Sequence, residues 1–230
     1  MSSPVVCIRN NWIIGITILL LAANTLAGGR GEAPWVGDSF SGAPCNGSDP
    51  KLFGPYDYNL DEDKLGVVQR AHFTPETEAL MSGGAGVYPA GGINYTLTVI
   101  PNHHRALNAA IRLHFELKSR AASVSPEEAL RSPVECYLQR AIKYSPRDAT
   151  VHMLYAMYLH RSQMLEPAIT EYKIALQIQP HSPNIEYNYA LALVDAGDYE
   201  TARKISDRLY ASGFPLPGLK NKLANVSRAD

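Results

Sequence analysis

The chain has 230 residues, room for one ordinary domain with appendages, and its 46% apolar content supports a buried core. With 21 basic against 22 acidic residues the formal net charge is −1, and neither sign gathers into runs. The sequence therefore offers no basic face for nucleic acid and no acidic tail.

Residues 1–27 have the three parts of a secretory signal. Arg9 supplies the positive start, Trp12 to Ala23 an apolar core, and Thr25-Leu26-Ala27 a small-residue cleavage site. The apolar run holds 12 residues, short of the ~20 that cross a bilayer, so the expectation is export with cleavage. An uncleaved N-terminal segment is the alternative, and it is the only membrane link expected. Residues 28–50, rich in Gly, Ser, Pro and Ala, read as a flexible tether. Beyond the signal two cysteines remain, Cys45 and Cys136, and no C-x-x-C pair exists. In an exported chain such a pair favours a disulfide, so a Cys45–Cys136 bridge is expected. The competing reading makes Cys136 a small buried thiol on a helix.

Residues 51–92 read as an N-terminal extension packed on a helical domain. Pro55 disfavours helix at Gly54. Asp61 to Arg70 is compatible with helix or strand. Thr74-Pro75-Glu76 opens a short helix, with Thr74 as N-cap and Pro75 in the first turn. Gly83-Gly84 should stop it, and a glycine-rich loop should run to Gly92. Residues 93–230 read as the helical domain itself. Asn94 to Val99 looks like a helix end before Pro101. Helices are then expected from His103 to about Arg120 and from about Pro133 to Tyr144, with an enlarged loop and a helical turn at Glu127–Leu130 between them. The stretch Ala149–Ser182 holds two helices by its apolar spacing, Val151, Leu154, Tyr155, Tyr158 and Leu159, then Ala168, Ile169, Tyr172, Ala175 and Leu176. Pro183–Leu216 repeats that pattern, and Gly218–Val226 adds a capping helix.

Pro146 and Pro180 stand 34 residues apart, as do Ala168 and Ala202. With Ala156, Ala175 and Tyr172 placed between them, this stretch resembles a tetratricopeptide repeat. Pro101 to Pro146 spans 45 residues, a looser match with 11 added. The resemblance implies an all-α, right-handed solenoid of about three helix pairs with an irregular N-terminal extension. In that family the first helix of each pair lines a concave binding face. Carried across, this gives Thr150, Met153, Met157, His160 and Arg161, then Asn184, Tyr187, Leu191, Val194 and Asp195. Gly54-Pro55-Tyr56-Asp57-Tyr58, His72-Phe73-Thr74-Pro75-Glu76, Pro101-Asn102-His103-His104 and Gly213-Phe214-Pro215-Leu216-Pro217 further resemble a group of exported proteobacterial tetratricopeptide proteins. That likeness implies a periplasmic address. In a eukaryotic source, Asn46, Asn94 and Asn225 would instead lie in glycosylation sequons.

Chemical motifs are weak by comparison. His103 and His104 point about 100° apart on a helix, and His152 and His160 lie about 12 Å apart along one, so neither pair shares an ion. Asp57, Asn59, Asp61 and Asp63 alternate like a calcium loop, but Glu62 and Val68 occupy its glycine and bidentate-acid positions. Gly86 to Gly91 has phosphate-loop spacing without the Lys and Ser/Thr that must follow. No G-x-S-x-G or H-E-x-x-H occurs. The expected function is accordingly a non-enzymatic adaptor of the cell envelope, without cofactor or metal, binding a protein or peptide through Met153, Met157, His160, Arg161, Tyr187, Leu191 and Asp195. The alternative is an envelope enzyme or carbohydrate-binding protein using Tyr56, Asp57, Tyr58, His72 and His103 as a polar-aromatic site.

Overall fold

The computed structural model of the protein describes residues 32–51, 53–82, 88–120 and 123–226. The expected signal at 1–27 and the helix stop at Gly83-Gly84 lie outside the described residues. Ten helices follow in chain order: α1 Glu62–His72, α2 Pro75–Glu78, α3 Pro89–Val99, α4 His104–Ser119, α5 Val134–Tyr144, α6 Ala149–Arg161, α7 Leu165–Ile178, α8 Pro183–Asp195, α9 Tyr199–Ala211 and α10 Gly218–Val226. Among the described residues there is no strand, only a single bridge between Asp38 and Pro44. No described helix is long and apolar enough to cross a membrane.

Local sequence sets most helix ends. Thr74, Asp148 and Asp198 each accept a backbone N–H in the first turn of the helix they precede. His103 does the same through Nδ1, 3.1 Å from the Ala106 nitrogen. At the far end of α8, Gly197 takes the left-handed conformation, and Asp198 N–H returns to Leu193 O at 2.9 Å. Gln163, 34 residues earlier, takes the same conformation after α6 despite its side chain.

Several sequence-predicted bounds move. The stretch left open at Asp61 to Arg70 is helical. The short helix α2 ends before Ala79. Helix α3 starts at Pro89, inside the expected loop, and is almost wholly buried. Gly92 is what admits it there: a Cβ would sit 2.1 Å from His72 O. The expected helical turn at Glu127–Leu130 is instead a pair of turn bonds, Glu128 N–H to Ser125 O and Ala129 N–H to Pro126 O.

From α4 onward each helix packs on its chain neighbour, and α4, α6, α8 and α10 also meet in succession. Ala141, Ala156, Ala168, Ala175, Ala190 and Ala202 are fully buried where helix backbones approach. Helix α6 is the seam of the molecule. Val151, Leu154 and Tyr158 join the core beneath α3 to α5, while Ala156 and Leu159 join the one beneath α7 to α10. Burial on two sides explains why α6 is apolar most of the way round.

Residues 32–50 depart from a free tether. Their backbone is irregular, yet they form a strap along α5. The Cys45–Cys136 bridge forms, with S–S 2.00 Å. Phe40 N–H donates to Glu135 at 2.9 Å, and Gln139 and Ser132 donate to Asp38 O and Asn46 O. Arg140 has 1% of its surface exposed and donates to Ala33 O, Leu97 O and Thr98 O, with its guanidinium over Trp35. Burial lowers its pKa, and the three carbonyls compensate part of that cost. Asn94, the middle sequon, is buried and accepts from Tyr137 Oη and Arg131 N, so it presents no acceptor site.

Candidate functional site

The expected binding stripe lies on α6 and α8, which run side by side. Met153 and Tyr187, Met157 and Leu191, and Arg161 and Asp195 are each 34 residues apart. Spacings of three and four residues put each set on one side of its helix. Met153, Met157, Tyr187 and Leu191 are half-buried against the core, while Arg161 and Asp195 are exposed. The ends of the row are tied across helices. Arg161 of α6 lies 4.0 Å from the ring centre of Phe115 on α4. His160 Nε2 is 2.7 Å from Asp195 Oδ2, and Lys222 of α10 donates to the same oxygen. Partial burial opposes the charge of Asp195, but the bonds from Lys222 and His160 hold its carboxyl below the usual range. Tyr187 is less available than its sequence position implies. Its ring packs on Phe214, 5.0 Å between centres, and its hydroxyl faces Gly218 at the start of α10.

The N-terminal extension covers α4, the neighbouring helix in this row. Glu78 of α2 accepts from Arg105, and its carbonyl from Arg112. Among the described residues, no hydrogen bond, ion pair or ring contact joins the extension to the stripe residues of α6 and α8.

The polar-aromatic set does not come together. His103 has no exposed surface. Its Nδ1 accepts from Ala106, so the ring proton sits on Nε2, 3.0 Å from the Gln69 amide. Burial then drives its pKa down to about 3, a neutral structural cap. Asp57 is buried in its own turn, accepting from Asn59 N–H, and Asp61 accepts from Asp57 N–H. Tyr58 packs on the rings of His103 and His104. Next to them Asp148 joins the extension to α6: Oδ2 accepts from His104 at 2.7 Å, Asn59 at 2.8 Å and Asn102 at 3.3 Å, while Oδ1 caps α6. Burial pushes against ionisation of Asp148, and the bonds from His104 and Asn59 overcome it, holding the carboxyl low. Both oxygens are spent on structure.

Tyr56 and His72 alone of that set reach an open cleft. His72 stacks on Tyr95 of α3 with ring centres 3.7 Å apart. Two hollows, of about 480 and 400 Å³, adjoin here and share Phe53, His72 and Tyr95. Phe53, Val67 and Tyr95 were not among the sequence candidates. Phe53 and Val67 sit outside any apolar period, and Tyr95 stands on a helix whose other side chains are nearly all buried. Among the described residues no group of three or more His, Cys, Asp or Glu could hold a metal ion. No protein-family model and no curated protein matches this chain.

Proposed function

We propose that the protein is a tetratricopeptide-like adaptor that binds a protein or peptide segment along the α6–α8 row. The observation that carries this reading is the recurrence of one stripe at 34-residue spacing on two adjacent helices. It mixes adaptable Met and Leu surface with exposed charge, and the extension leaves it uncovered among the described residues. Half-buried Met side chains can re-pack against a ligand, and Arg161 and Asp195 can fix its orientation. An exported, envelope location is part of the proposal: the apolar segment after Arg9 and a disulfide of this kind both suit an oxidising compartment.

The test is affinity capture from the source cell's envelope fraction, with wild type beside Met153→Ala/Arg161→Ala and an outer-face control, Lys173→Ala. A partner retained by wild type and control but lost from the double variant, at unchanged melting temperature, is the expected result. Equal recovery by all three removes the stripe from consideration.

A further inference from the structure

We infer that the cleft around His72 and Tyr95 is a saccharide-binding site, taking two neighbouring sugar rings of a neutral glycan. This goes beyond the adaptor reading and uses none of the stripe residues.

Three observations carry it. First, the cleft exposes aromatic surface that the core does not use: Phe53 is 53% exposed and Tyr95 38%, with Val67 beside them at 65%. Such side chains clustered at a concavity mark a binding site more than scattered surface residues do. Second, the rings are held in place. Tyr95 is stacked on His72 with 26° between planes. Tyr56 is fixed by its N–H to Val99 O at 2.8 Å, and Lys64 lies over its ring. A preset aromatic wall loses little side-chain entropy when a ligand arrives. Third, the polar rim carries both signs close together. Asp49, Lys51 and Arg131 line the larger hollow with Ser48 and Thr98, and Asp63 and Lys64 line the smaller one.

That combination selects against an ion, since neither charge dominates, and against a purely apolar ligand, which would strand the rim. Sugar hydroxyls both donate and accept, so they suit carboxylates and cations alike. One face of a pyranose presents C–H groups of partial positive charge, the complement of the negative face of an aromatic ring. Two hollows meeting at Phe53, His72 and Tyr95, each within the size range of small-ligand sites, match two linked rings.

The experiment is a heteronuclear NMR titration of the intact, disulfide-bonded protein with cellobiose, with N,N′-diacetylchitobiose and with indole. The expected result is that at least one disaccharide shifts the amides of residues 53, 56, 72 and 95. Phe53→Ala and Tyr95→Ala should each weaken that binding roughly tenfold, while Tyr95→Phe retains it. Phe53 is exposed enough that its loss leaves the fold intact, which keeps the test decisive if Tyr95→Ala unfolds. Shifts from indole with neither disaccharide overturn the inference, as does silence from all three or binding that survives Phe53→Ala unchanged. Because these variants leave α6 and α8 intact, partner capture and sugar binding stand or fall separately.

Discussion

The two halves of this molecule reach stability by different means. From α6 to α10, buried apolar residues recur at helical spacing, fully buried alanines sit at the helix contacts, and neighbours in sequence are neighbours in space. From residue 32 to α5, much of the order comes from groups far apart in the chain. The Cys45–Cys136 bridge spans 91 residues, Arg140 reaches Ala33 and Leu97, and Asp148 reaches Asn59. A regular surface that can be read like a ruler arises in the first half described. An irregular cleft, made by folding a strap and two short helices together, arises in the second.

The sharpest way to break this contrast is to cut the bridge. Closing so long a loop is worth about 2–5 kcal/mol in restricting the unfolded chain. Cys45→Ala should lower stability by that amount in denaturant titration. Loss should be concentrated in the strap and α3 to α5, and reductant should do the same to wild type alone.

Legibility follows the same division. The bounds of α6 to α10, the caps Thr74 and Asp148 and the cysteine pairing could be read because each rests on local spacing, local hydrogen bonds or simple parity. Helix α3 could not. Its Gly91-Gly92 argues for a loop, and only the close approach of His72 O explains the second glycine. The strap was equally hidden. Its composition is that of a linker, and what fixes it is Arg140 and Glu135, residues that on sequence alone belong on a solvated helix face. His103 looked like a functional histidine, whereas its burial makes it a helix cap.

A smaller effect separates the halves by pH. His103 is neutral when folded, held at about 3 against an ordinary 6.5. As pH falls below about 6.5 the unfolded chain takes up a proton the folded chain refuses, so stability declines toward acid. Asp148, also held low, adds to the loss once pH reaches its folded value. His152 behaves oppositely. Burial disfavours its charge, but Glu171 at 2.7 Å and Pro146 O at 3.1 Å accept from its two nitrogens and raise its pKa. Its contribution is full below the unfolded value and fades as pH rises through the folded one. Melting curves should therefore show an acid limb worth about 1.5 kcal/mol between pH 6.5 and roughly 5. His103→Asn, which keeps a capping oxygen, should flatten it.

The smallest expected change sharpens the repeat itself. Gln163 occupies the left-handed position that Gly197 fills one repeat later. Gln163→Gly should raise stability by about 0.5–1 kcal/mol, relief of side-chain strain less the added chain entropy. A decrease, measured by the same denaturant titration, would show that the two helix ends are not equivalent.

The most direct test of the adaptor reading is photo-cross-linking from a single unnatural side chain at position 157, on the stripe, beside one at position 173, on the exposed side of α7. The account predicts a discrete adduct with the same partner from 157 and none from 173. Adducts of equal yield from both positions, or from 173 alone, would contradict it.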